Sequence, residues 1–228
     1  GHITFEKTVA LAEKWFSPIP RRHVPRRSLP MEPMQTEERR LTVERNVPVD
    51  ALYMAFHMCS RNHPDYYAFD MLSDLLSSGR SSRFVQHLVQ DKQIFNSIDA
   101  YISGSIDNGL FHNVGKPAPE KTLEEAEKAI WEELALLTEG SIDENELEKV
   151  KNRYESEQIF NNLNYLNVAT NLAYFELIGK AEDINTEVEK YRSVTQEQIK
   201  RAAKQTFLPE NCSVLYYKAA AKGASHTP

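Results

Sequence analysis

Apolar residues open the chain at helical spacing: Phe5, Val9, Ala12 and Phe16 share one face, and Pro18 and Pro20 stop the pattern. The spacing predicts an amphipathic helix that needs a surface to lie on. From Ser17 to Thr36 the chain is rich in proline and arginine, which excludes regular helix and predicts an extended linker. Beyond it the period changes to two. Leu41 and Val43, then Leu52, Met54, Phe56 and Met58, alternate with other residues and predict two half-buried strands. Pro64 opens a helix with Ala68, Met71, Leu72 and Leu75 on one face; Gly79 ends it, and Ser81 is placed to cap a second helix reaching about Gln90. Ile98, Ala100 and Ile102 then alternate again. Asp107-Asn108-Gly109 predicts a tight turn, with Leu110, His112 and Val114 as the inward residues of the returning strand.

The second half reads as helical. Thr122 with Glu125, Asp143 with Glu146 and Thr195 with Gln198 each set a capping oxygen three residues before a Glu or Gln, marking helix starts. The middle start opens a long apolar pattern from Leu147 to Leu177, expected to bend between Asn161 and Asn164. Cys212 to Tyr217 predicts a closing strand after Pro209, and Ala219 to Pro228 a disordered tail. Strands and helices segregate instead of alternating one by one, so the expected class is α+β, a mixed and mainly antiparallel sheet packed against helices.

Charge and cysteine usage narrow the partners. With 27 Lys and Arg against 33 Asp and Glu, the net charge of −6 argues against nucleic acid. No stretch approaches the roughly 18 consecutive apolar residues of a membrane span, and a soluble chain is the expectation. Cys59 and Cys212 are far apart and lack a C-x-x-C spacing, which points to two buried thiols. Gly1-His2 runs at once into the helical pattern, so the chain reads as part of a longer protein.

Candidate chemistry is sparse. Gly79-Arg80-Ser81-Ser82 is not the Gly-x-Ser-x-Gly elbow, and no phosphate-cradling glycine loop occurs. The seven histidines never stand three or four residues apart, so spacing gives no zinc site in this chain. His87 has Asp91 four residues on as a surface partner.

Three segments together resemble the insulinase, pitrilysin and mitochondrial-processing-peptidase family. They are Asp65 to Phe84, with its Gly79-Arg80-Ser81-Ser82-Arg83 turn; Glu144 to Arg153; and Val194 to Asn211. The likeness covers about residues 39 to 218. It implies one half of the processing-peptidase fold, in which two related α+β halves face each other around a peptide. In the family the first half holds zinc through His-x-x-Glu-His. The helix at the matching position here, Tyr66 to Leu76, has neither histidine nor glutamate. The resemblance therefore implies a C-terminal half with no cofactor of its own, zinc being expected in an N-terminal half. Residues 1–16 resemble the closing helix of that other half, 17–36 the connector, 37–218 the C-terminal domain, and 219–228 a tail.

Many relatives carry an Arg and, seven residues later, a Tyr that hold the substrate. The matching positions here are Val89 and Asn96, which cannot replace a guanidinium and a phenol. Candidate substrate contacts are then Arg83 and Asn96. The expected function is a non-catalytic, substrate-enclosing half of a bacterial-type zinc endopeptidase. Its partners are its own N-terminal half and a peptide, with a second copy of the chain as a further candidate. The alternative is a structural or assembly protein of the same fold without peptidase activity.

Overall fold

The computed structural model describes residues 2–23, 30, 32–104 and 106–220. Part of the linker expected at 17–36 and most of the tail expected at 219–228 lie outside these residues. The chain divides into two compact units, residues 1–34 and 35–228. In the first, α1 (Phe5–Phe16) starts where Thr4 Oγ1 accepts from the Lys7 amide, and none of its residues is buried. The described residues of 17–36 form a turn and otherwise no regular element.

The second unit is organised by β2 (Ala51–Ser60), whose Leu52, Met54, Phe56 and Met58 all point into the core. Around it lie β1 (Arg39–Arg45), β3 (Phe95–Ser103), β4 (Asn108–Pro117) and β5 (Cys212–Ala219), in the order β1-β5-β2-β4-β3. Only β1 and β5 run parallel; the other neighbours are antiparallel. This is the expected mixed, mainly antiparallel sheet.

One face was misjudged from sequence. On β4 the buried residues are Gly109, Phe111, Asn113, Gly115 and Pro117, not Leu110, His112 and Val114. Directly opposed residues share a face, and Met54 opposes Asn113 while Phe56 opposes Phe111. Ala100 and Ile98 on β3 oppose Asn113 and Gly115. Asn108 and Gly109, taken as turn, are already inside β4, and a one-residue shift of a strand exchanges its faces. Gly115 is needed there: a Cβ would come 2.4 Å from the Phe95 ring.

Helices cover the inward face. α2 (Tyr66–Ser77), α3 (Leu123–Glu139) and α7 (Gln196–Thr206) touch the sheet, and α4 (Glu144–Asn161) and α6 (Glu187–Arg192) lie against α2. Capping boxes at Thr122/Glu125 and Thr195/Gln198 form as the sequence predicts. Phe207 packs edge-on against Phe56 and Phe111, both at 5.1 Å between centroids, tying α7 to β2 and β4. Such pairs add about 0.5–1.5 kcal/mol to their area term.

Two helical expectations change. The helix expected from Ser81 is a π-helix, Phe84–Asp91, without a side-chain cap; Ser81 instead offers both oxygens to Lys149 Nζ. The long helix does not bend but breaks. α4 stops at Asn161, and Asn164 Oδ1 accepts from the Leu166 amide to begin α5 (Tyr165–Ile178). Asparagine side chains compete for backbone donors in this way, which makes them helix starters more than helix interiors.

Candidate functional site: a cleft at the β3–β4 end and the open sheet face

Within the second unit, the described helices that touch the sheet lie on its inward face. Its other face presents half-buried or exposed side chains, among them Tyr53, Tyr101, His112 and Tyr217. Tyr101 stacks on His112 with 4.8 Å between ring centroids, and His112 Nε2 lies 2.9 Å from Ser103 Oγ. Burial lowers the His112 pKa, which favours the neutral ring. Tyr53 and Tyr217 meet edge to face at 6.4 Å. The surface is aromatic, with hydroxyl and imidazole groups, and suits an extended polar backbone lying on apolar rings. Beside it β3 is the end strand, and among the described residues its outer edge has no strand partner.

At the start of β3 the backbone is irregular in three places close together. Gln93, between the π-helix and β3, has φ +51°, and Glu120, just beyond β4, has φ +69°. Among the described residues these are the only non-glycines with positive φ. Between Phe95 and Ser97 the β3–β4 register slips, leaving Asn96 as the extra residue of a bulge. The Ala118 amide donates to Ile94 O at 2.8 Å and closes the two strands just beside the bulge. Left-handed non-glycine residues cost of the order of 1 kcal/mol each, and such strain and bulges gather where a chain must aim particular groups. What they frame is a cleft of about 510 Å³ whose walls include Val89, Asn96, Lys92, Lys121, Gln93 and Pro119.

The two positions matched to the family's substrate-holding pair, Val89 and Asn96, therefore meet in one cleft. Asn96 Nδ2 donates to Pro117 O over 3.5 Å, a contact at the long limit for a hydrogen bond. Arg83 is not on these walls. Its Nε and one terminal nitrogen each donate to Glu146 at 2.9 Å, and the latter also reaches Ser141 O at 3.3 Å. Those bonds to Glu146 push its pKa up and keep it charged. Sequence reasoning missed Lys92 and Lys121. Nothing local marks them, because they stand on opposite sides of the hairpin and only its closure brings them to one cleft.

Among the described residues no group of three or more His, Cys, Asp or Glu side chains is placed to hold a metal ion. His87 pairs not with Asp91 but with α3, its Nδ1 lying 2.8 Å from Glu133 Oε2. Cys59 and Cys212 are free thiols, and burial pushes their pKa values up to about 11 and about 12. Neither is a ready thiolate. No helix among the described residues is long and apolar enough to cross a membrane.

A mixed, mainly antiparallel sheet backed by helices defines an α+β domain. The peptidase M16 inactive domain matches residues 1–154, and the chain belongs to that family. It is 22% identical over 223 residues to the zinc protease PqqE of Helicobacter pylori, covering 96% of this chain and 50% of that protein. The crystal structure of a protease from Helicobacter pylori superposes with a TM-score of 0.85 at 22% identity, over 96% of this chain and 54% of that one. A peptidase M16 inactive domain from Pseudomonas fluorescens gives a TM-score of 0.81 at 15% identity, over 97% and 53%. The chain thus spans about half the length of the relatives it matches.

Proposed function

We propose that the chain is the non-catalytic, substrate-enclosing C-terminal half of a zinc-dependent endopeptidase whose zinc motif lies in an N-terminal half. The observation that carries this reading is the edge of β3, without a strand partner among the described residues, leading into the cleft at Asn96. An extended peptide adding itself to that edge gains main-chain hydrogen bonds without regard to sequence, while the open aromatic face walls it in. Asn96 is the proposed side-chain contact. Arg83 reaches a peptide only by releasing Glu146, so its contribution is to hold the start of the π-helix. Zinc in the other half supplies the activated water; this half supplies position.

The partner surface has its own support. α5 is mainly apolar, interrupted by Asn167, Thr170, Asn171 and Glu176, yet only Phe175 is buried; Leu166 and Leu177 are 72% and 75% exposed. Exposed apolar side chains gathered on one helix mark an interaction surface, and we propose that the N-terminal half covers it. One observation favours the alternative of an assembly protein without peptidase activity: Val89 occupies a cleft wall where an arginine would bind substrate.

The test is turnover of an unfolded fluorogenic peptide by the two halves of the parent protein, separately and together. Neither half alone should cleave, the pair should, and a chelator should abolish it. An intact, zinc-loaded pair that leaves the peptide uncut would transfer the case to assembly.

A further inference from the structure

The cleft beside the β3 edge carries charge of one sign. Of its eight lining residues only two are charged, and both are lysines. This is a local reversal in a chain with 33 acidic and 27 basic residues. We propose that the cleft is a subsite for an acidic side chain of the bound peptide, received by Lys92, Lys121 and the Asn96 amide. The proposal rests on the peptide-enclosing reading above and adds to it a substrate class: segments carrying Asp or Glu where the chain passes the bulge.

The donors are available. Lys92 Nζ lies 3.1 Å from Glu132 Oε2, but the two side chains are 42% and 49% exposed. A pair that exposed is worth about 0–1 kcal/mol, so exchanging Glu132 for a substrate carboxylate costs little. Lys121 makes no ion pair among the described residues. Asp91 and Glu120, their neighbours in sequence, are not on the cleft wall. Asn96 Nδ2 spends only a 3.5 Å contact on Pro117 O, which leaves its amide hydrogens for a stronger acceptor. Two cations and a neutral donor line one cleft whose walls carry no carboxylate, with the exposed Glu132 as the competitor for Lys92, and charge-assisted bonds to carboxylate are about twice as strong as neutral ones.

The frame is fixed. Lys92 follows the last turn of the π-helix, where its amide donates to His87 O at 2.9 Å, and Gln93 then turns in the left-handed region. Lys121 is held by its own amide bond to Ala118 O at 3.1 Å across the Glu120 turn. The cleft volume of about 510 Å³ lies within the roughly 300–1,000 Å³ of pockets that hold small ligands. It has room for a carboxylate side chain and its flanking backbone. Apolar subsites would need apolar walls; here the polar groups dominate.

The experiment uses the chain itself, labelled with ¹⁵N, titrated with three ten-residue peptides of one neutral framework. They are acetylated and amidated so that no terminal carboxylate competes, and differ only in two central residues: Glu, Gln or Lys. The Glu peptide should bind about tenfold tighter than the Gln peptide and tighter still than the Lys peptide, as two charge-assisted bonds at a surface imply. Amide shifts should centre on residues 89–96 and 117–121. Lys92→Glu with Lys121→Glu should reverse the order; both side chains are exposed, and Lys121→Gln alone provides a milder variant that should reduce the preference without reversing it. Equal binding of all three peptides along β3 overturns the acidic subsite and leaves the enclosing reading standing. So does an unchanged preference in the double variant. If no peptide shifts β3 or the cleft at millimolar concentration, the enclosing reading falls and the subsite falls with it.

Discussion

Asp74 sits on the inner side of α2, where burial pushes its carboxyl up from the ordinary value near 3.8 to about 6 and the neighbouring Asp70 adds to the effect. Asp70 is raised too, by burial above all, although its Oδ2 accepts from the Tyr191 hydroxyl at 2.5 Å. A raised acid pKa means the folded chain holds its proton more tightly than the unfolded one. Stability from this source is present below pH 4 and lost as pH rises through about 6. Asp74→Asn mimics the protonated form at every pH. It should therefore be neutral near pH 4 and stabilise by about 2 kcal/mol at pH 7.5, a figure reduced for partial exposure from about 1.4 kcal/mol per pKa unit. Urea unfolding at the two pH values decides; a variant less stable at pH 7.5 would mean that the carboxylate earns more from nearby Arg153 than burial takes away.

Between elements, the bidentate Arg83–Glu146 pair joins the residue preceding the π-helix to the first turn of α4, with both side chains largely covered, at 14% and 16% exposure. Removing one partner strands the other, so Arg83→Met should cost about 2 kcal/mol, less than a fully buried pair. Met at both positions should recover most of that, and a double-mutant cycle in urea measures the coupling. A coupling near zero would free Arg83 for the substrate role its sequence position suggested. The same pair shows why part of the fold was illegible. Glu146 sits where a capping box with Asp143 would place it, and Asp143 does cap, accepting from the Asn145 amide. Its partner in the local motif is taken by a residue far away in sequence. Where the local signal had no distant competitor, as in the alternation of β2 or the Thr122 and Thr195 caps, the reading held. The inward face of β4 was lost because one residue of register, set by β2 and β3, exchanges its faces. The bulge at Asn96 and the left-handed turns at Gln93 and Glu120 have no glycine to announce them. The cleft was half legible: the resemblance located Val89 and Asn96, whereas the lysines depend on how the hairpin closes.

At the scale of the molecule, the core of the second unit runs, among the described residues, from Leu52 to Tyr216. α1 buries none of its side chains, although Phe5, Trp15 and Phe16 are large and apolar. The stability of the α+β domain should then be independent of residues 1–34, but the boundary matters at the next residue. Gln35 is buried, its Nε2 donating to Cys212 O at 2.8 Å and its Oε1 accepting from Ser213 Oγ at 3.2 Å, so it ties the entry of β1 to β5. A chain starting at Gln35 should melt within about 2 °C of the parent, since it keeps every described core residue from Leu52 to Tyr216. Gln35→Ala in that shortened chain should lower stability by about 1–2 kcal/mol, because Cys212 O loses a buried donor. For a domain of this size that is a fall of roughly 2–8 °C. Differential scanning calorimetry of the three proteins separates the contributions. If removal of residues 1–34 alone lowers the main transition by as much as the Gln35 substitution, the apolar face of α1 is stabilising the domain, and the division into independent units fails.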